Sequence, residues 1–141
     1  MAITYLVDTN IVSELMRPHP NATVRMLWES HASEITISTI SWHELLVGAM
    51  YLPVSKRRTA LENFLYQNLL NRVEMLPYNQ MAAEWHAIER ARLMKIGRTP
   101  SFSDGQIAAV AATNNMILVT RNVADFADFD GLTVENWFEE S

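Results

Sequence analysis

A chain of 141 residues and 16.1 kDa has the size of one domain, here taken to span residues 1–141. That length can bury roughly 70% of the surface an unfolded chain exposes. With 49% hydrophobic and 19% charged residues, 4 Gly and 5 Pro, the composition excludes a disordered or fibrous chain. Zero cysteines exclude disulfide frameworks, thiolate metal sites and a cysteine nucleophile, which fits a reducing cytoplasm. No segment approaches the roughly 18 apolar residues of a membrane span, and no signal peptide is expected. The net charge of −5, from 11 basic and 16 acidic residues, argues by itself against a polyanionic partner. Its distribution weakens that objection, because residues 125–141 hold six acids and no base, leaving the rest close to neutral and nucleic acid permitted.

In chain order, Ile3 to Val7 is a short β-branched and aromatic run that predicts a strand. It ends abruptly at Asp8-Thr9-Asn10, good caps for a helix from about Ile11 to Met16. After Pro18 and Pro20, Asn21 can cap a second helix with Val24, Leu27 and Trp28 on one face. Ile35 and Ile37 alternate with Thr36 and Ser38 as a second strand. Ser41 opens a helix to about Leu52, and a longer one from Lys56 to about Asn71 carries Leu61, Phe64, Leu65 and Leu69 as its stripe.

Val73 to Leu76 is a candidate third strand, and Asn79 caps a helix bearing Met81, Trp85 and Ile88 that Gly97 and Pro100 close. Ser103 opens the next helix, followed by a strand from Met116 to Val119 and a last one around Leu132 to Val134 after Asp130-Gly131. Alternating helices and short apolar strands imply an α/β fold around a mostly parallel sheet flanked by helices. In such sheets, sites form beyond the carboxyl ends of the strands.

Asp8 stands directly after the first strand, and Asp104 stands in the first turn of a helix, where a carboxylate is favoured by the dipole. Glu44 has an alternative, because Ser41-Trp42-His43-Glu44 reads as a capping box in which Glu44 reaches back to the Ser41 amide. As a set, three acids at one end of a sheet repel one another unless a divalent cation neutralises them. Carboxylates without Cys or paired His favour a hard ion, Mg²⁺ or Mn²⁺, and an oxygen-ligated cation suits phosphoryl chemistry.

Thr9 is a candidate either to orient a water or to cap its helix. Lys95, Arg98 and Arg121 flank these turns and can meet phosphates, although solvated surface charge is the plainer reading. Lys56-Arg57-Arg58 opposes the dipole at a helix start, which suits an acidic partner or RNA as well as solvent. His19, His31, His43 and His86 share no metal-ligand spacing, and they are read as structural, like Trp28, Trp42 and Trp85.

An ordered set of segments spanning nearly the whole chain resembles the PIN-domain nucleases, and within them the VapC-type toxins of bacterial toxin–antitoxin pairs. The segments are Tyr5-Leu6-Val7-Asp8-Thr9-Asn10, Ser38 to Leu45 with Gly48, Asp104 to Ala109 with Ala111, Val119 to Phe126, and Val134-Glu135-Asn136-Trp137. The resemblance implies a PIN-like (Rossmann-like) three-layer fold and a Mg²⁺-dependent endoribonuclease with Asp8, Glu44 and Asp104 as core acids. Of these, it makes Asp8 and Asp104 the metal ligands. Many relatives carry a fourth acid where this chain has Asn122, so the resemblance leaves Asn122 or Asp125 as auxiliaries. It further implies an RNA substrate, a homodimer or larger assembly, and a small VapB-type antitoxin that covers the acidic pocket.

Two other readings stay open on the residues alone. An aspartyl phosphatase needs a second acid two residues after its nucleophile, and position 10 is Asn. In a non-catalytic α/β binding module, the acids are caps and the apolar helices form a partner groove.

Overall fold

The computed structural model describes residues 4–139, so Ile3, the first residue of the expected strand, lies outside the described residues. The chain runs through β1 (Tyr5–Val7), α1 (Thr9–Leu15), α2 (Ala22–Ser30), β2 (Ile35–Ser38) and α3 (Thr39–Met50). It continues through α4 (Lys56–Asn63), which passes by a π-helical segment (Phe64–Leu69) into α5 (Leu70–Arg72), and then β3 (Glu74–Leu76) and α6 (Gln80–Lys95). It closes with α7 (Phe102–Thr113), β4 (Ile117–Val119), α8 (Val123–Phe126) and β5 (Thr133–Glu135).

The five strands form one sheet of order β3-β2-β1-β4-β5, and every neighbouring pair is parallel. Tyr5 stands in register with Ile35 on one side and Ile117 on the other, so the strand ends align into a common edge. From β1 the chain winds outward to β2 and β3, then crosses back and winds the opposite way through β4 and β5. Connections therefore leave β1 and β4 in opposite directions, which opens a crevice between their carboxyl ends.

Strand residues alternate between two cores, as a pleated sheet covered on both faces requires. Val7, Ile35, Ile37 and Val119 pack with Ile11, Val24 and Leu45 from α1, α2 and α3 and with Leu65 and Leu69 from the π-helical segment. Leu6 and Leu118 pack on the other face with Ala82 and Leu93 of α6, Ile107 to Ala111 of α7 and Phe126 of α8. The expected alternation in β2 does not give a half-exposed strand, since Thr36 and Ser38 are as buried as Ile35 and Ile37. Their hydroxyls are satisfied locally: Thr36 donates to the Glu74 carbonyl of the neighbouring strand, and Ser38 Oγ accepts from the Ser41 amide.

Helix α6 turns a different face inward from the one its Met81 and Ile88 suggest, while Trp85 packs partly against the core beside Phe129. Met81 and Ile88 are 63% and 70% exposed, while Ala82, His86, Glu89 and Leu93 are buried. The two polar members are paired. Glu89 accepts both Arg92 nitrogens and the Asp130 amide, and His86 Nδ1 lies 2.9 Å from the Tyr78 hydroxyl.

His86 also fixes how closely α6 and α7 approach. Its ring lies against Gly105 in the first turn of α7, and a Cβ there would stand 2.1 Å from His86 Nε2. Gly105→Ala is therefore expected to destabilise by about 1–3 kcal/mol through overpacking and to lower Tm by several degrees. Removing the ring in a His86→Ala/Gly105→Ala double variant should recover part of that loss in thermal denaturation. An additive loss would contradict the contact.

Candidate active site

Asp8 is carried to the sheet edge because the ladder runs on for one residue past β1: its amide donates to the Val119 carbonyl at 2.8 Å before the chain turns into α1. It caps α1, with Oδ1 accepting the Thr9 amide at 2.7 Å. Oδ2 accepts the Thr120 hydroxyl at 2.8 Å, and Asn10 Nδ2 lies 3.4 Å from it. Thr120 follows β4, so the carboxylate is gripped from the ends of both strands at the crevice. Only 7% of the residue remains exposed. Asn10, the position where an aspartyl phosphatase needs an acid, is thus tied to Asp8 and carries no proton to give.

Glu44 corrects the capping-box expectation. Helix α3 starts at Thr39 with Ser38 as its cap, so Ser41 is already inside the helix and Glu44 lies in its second turn. Its Oε1 instead accepts the Thr9 hydroxyl at 2.7 Å, and that hydroxyl also lies 3.1 Å from Ser41 Oγ. Thr9 serves as a bridge between α1 and α3, a role neither of its sequence-based readings contained.

Asp104 stands in the first turn of α7, one residue further into the helix than expected from a Ser103 start, because the helix begins at Phe102 with Ser101 as its cap, whose Oγ accepts the Asp104 amide at 3.2 Å. The structure brings Asp8, Glu44 and Asp104 onto one cleft of about 650 Å³, together with Thr9, Asn10, Arg121 and Asn122. Asn122 enters through the turn after β4, where its amide donates to the Thr120 hydroxyl oxygen at 3.1 Å. Asp125 and Arg98 line a neighbouring pocket, which meets the first only at Asp104, and Arg98 pairs there with Asp128 at 3.3 Å. None of the four histidines lines the acidic cleft.

Among the other cleft residues, Ser13, Glu14, Arg17 and Phe138 went unassigned at the level of sequence, whereas Arg57 belongs to the basic run expected to suit an acidic partner or RNA. Glu14 and Arg17 follow Asn10 at helical spacing, a signal that could have found them, and they pair with each other at 3.1 Å. Arg57, from the basic start of α4, and Phe138, from the chain after β5, reach the rim from distant segments that only the tertiary fold unites with Asp8.

Residues 5–132 match the PIN domain family. The tRNA(fMet)-specific endonuclease VapC of Shigella flexneri is 29% identical over 135 residues, which cover 96% of this chain and 98% of the relative. Toxin FitB of Neisseria gonorrhoeae is 30% identical over 137 residues, covering 95% of this chain and 99% of the relative. Among solved structures, FitAB bound to an IR36 DNA fragment superposes with a TM-score of 0.90 at 28% identity, over 98% of each chain.

The electrostatics of the cleft suit a hard cation. Burial pushes the Asp8 carboxyl up from 3.8 to about 6 against the opposing hydrogen bonds from Thr120 and Thr9, and the charges of Asp104 and Glu44 push it further the same way. Burial likewise raises Asp104, opposed by Ser101 and reinforced by the charges of Asp125 and Glu44. Glu14 goes the other way, held low first by the Asn21 amide and then by Arg17. Among the described residues, no three His, Asp or Glu side chains stand close enough to enclose an ion by themselves. The donors that the cleft does offer are carboxylate and amide oxygens with no Cys or His, a set that suits an oxygen-ligated divalent cation.

The raised Asp8 makes a stability statement. Its proton is held more tightly folded than unfolded, so its contribution is fully present below the unfolded value and lost as pH rises through about 6. Asp8→Asn keeps the shape, leaves Oδ1 for the Thr9 amide and buries no charge, while its Nδ2 gives up the Asn10 contact and needs the Thr120 hydroxyl to turn and accept. It is expected to stabilise the metal-free protein at about pH 7.5, by on the order of 2 kcal/mol, a few degrees in Tm. The gain should shrink as pH falls below about 6 and vanish only below about 3.8 in chelator-treated thermal scans. A variant less stable than the parent at every pH would contradict this.

Proposed function

The chain belongs to the PIN-domain family, and from that membership and the acidic cleft we propose that it is a divalent-metal-dependent endoribonuclease, the toxin of a VapBC-type toxin–antitoxin pair. The observation that carries the reading is the meeting of Asp8, Glu44 and Asp104 on one cleft at the carboxyl edge of a parallel sheet. Asp8 and Asp104 hold Mg²⁺, for which Mn²⁺ can substitute. When bound, the cation supplies Lewis-acid stabilisation of negative charge on a phosphoryl oxygen.

The other roles belong to the chain itself. Glu44 has Oε1 engaged by Thr9, which leaves Oε2 to orient a water and accept its proton. Asn122 offers an amide in the cleft, and Asp125 adds negative charge on the far side of Asp104. Arg57 and Arg121 on the rim contact RNA phosphates, whereas Arg98 reaches them only beyond the neighbouring pocket. The name of the Shigella relative, a tRNA(fMet)-specific endonuclease, supports RNA as the substrate class.

The FitAB complex supports a small VapB-type antitoxin as partner. Val47, Met50 and Tyr51 at the end of α3 and Met81 and Ile88 on α6 are exposed and apolar, area that an antitoxin and a second copy of the chain can cover. A homodimer working in the cytoplasm completes the reading. Among the described residues no helix is long and apolar enough to cross a membrane.

Purified protein is expected to cut single-stranded RNA with Mg²⁺ and to stop when the ion is chelated. Asp104→Asn should cut about 100-fold more slowly or worse. Millimolar Mg²⁺ should raise the Tm of the parent, more at about pH 7.5 than at pH 5.5 because protons compete for the raised carboxyls, and should leave Asp104→Asn nearly unmoved. A parent protein that neither cuts RNA nor responds to the ion would overturn the proposal.

A further inference from the structure

The chain after β5 turns back onto the cleft and is built into place there. Trp137 is 2% exposed and plugs into the core, its Nε1 donating to Glu135 Oε1 at 3.2 Å. The Phe138 amide donates to Asn136 Oδ1 at 2.9 Å. That turn packs the Phe138 ring partly against the core and partly onto the cleft rim. Over the ring lies Arg121, its guanidinium carbon 4.6 Å from the ring centroid.

This pair is coupled to the acids. The Arg121 amide donates to Asn10 Oδ1 at 3.3 Å, and the same Asn10 side chain reaches Asp8 Oδ2. Among the described residues no carboxylate lies within ion-pairing distance of the Arg121 side chain, in contrast to Arg17 and Arg98. A planar cation held on an anchored ring, with its donors unpaired, is the surface on which proteins stack the bases of unpaired nucleotides. A residue needed only to fill the gap beside Trp137 would not require a cation over it.

We propose that Phe138 and Arg121 form a nucleobase-stacking subsite, which seats the base of an unpaired nucleotide beside the phosphate presented to Asp8 and Asp104. The subsite rests on the ribonuclease reading for its ligand class, and it explains how a cleft lined by acids can still grip RNA. Phosphates are repelled by the acids until a cation is bound, whereas stacking is insensitive to that repulsion. The base contact therefore fixes where an unpaired nucleotide sits relative to the cut, with little preference for the identity of its base.

The test uses the full chain and a short randomised single-stranded RNA pool carrying one 2-aminopurine, with Ca²⁺ replacing Mg²⁺ for binding and Mg²⁺ restored for cutting. Binding to the parent should quench the 2-aminopurine signal. Phe138→Leu, which keeps the apolar packing, should lose the quench and bind about 5- to 100-fold more weakly, and Phe138→Trp should restore both. Arg121→Lys, which keeps the charge and loses the plane, should reduce the quench while binding keeps its salt dependence.

Phe138→Leu that binds, quenches and cuts like the parent would overturn the subsite and leave the nuclease reading standing. Phe138-dependent quenching by a protein that never cuts would uphold the subsite and overturn the nuclease reading. Failure of the parent to bind the pool at all would overturn both.

Discussion

The burial of one carboxylate, Asp8, where the sheet reverses its winding direction is the constraint on which the rest of the molecule turns. β1 and β4 are neighbours whose connections depart to opposite sides, so the gap beyond their ends is covered by neither. The backbone keeps its ladder up to Asp8 through the Val119 carbonyl, and Thr120, the first residue beyond β4, closes on the same carboxylate. An acid is thereby held by three donors, the Thr9 amide, the Thr120 hydroxyl and Asn10 Nδ2, with little water around it. Its neighbours Asp104 and Glu44 are also acids, and among the described residues none of the arginines lining the cleft, Arg17, Arg57 and Arg121, forms an ion pair with Asp8.

The rest of the fold offsets that cost. Two apolar cores, one on each face, fix the strand ends to within a register shared from β2 through β4. Asp104 is positioned by the contact of His86 with Gly105, and Glu44 by the Thr9 bridge between α1 and α3. The buried Glu89, shared by Arg92 and the Asp130 amide, pins the loop before β5 and with it the approach of Trp137 and Phe138 to the cleft. Strain of this kind, a like-charged site set in a stable frame, is a recurrent mark of functional positions.

Much of the frame was legible in the sequence, because short apolar strands that stop at Asp8 and at Thr120 mark the sheet edge directly. Asp8 could be singled out because it stands at a helix start after such a stop, and Asp104 because it stands in the first turn of the helix that follows the Gly97 to Pro100 turn. What misled was local pattern with two meanings. Ser41 and Glu44 have capping-box spacing, but the helix begins earlier at Ser38, and the tertiary bond to Thr9 takes the place of the local one. The α6 stripe of Met81 and Ile88 looked like a core face, yet His86 and Glu89 lie inward because each finds a polar partner no periodicity can reveal. Arg57 and Phe138 reach the cleft from α4 and from beyond β5, a proximity that depends on how separate elements pack and leaves no trace in spacing.

The most direct test of the central claim, that this acidic cleft cuts RNA, is a map of new RNA 5′ ends in bacterial cells after brief induction of the parent or of Asp104→Asn at matched abundance. The expected result is a defined set of ends present with the parent and absent with the variant, which removes one carboxylate and leaves the fold intact. Identical maps for parent, variant and uninduced cells, with both proteins soluble and folded, would contradict it.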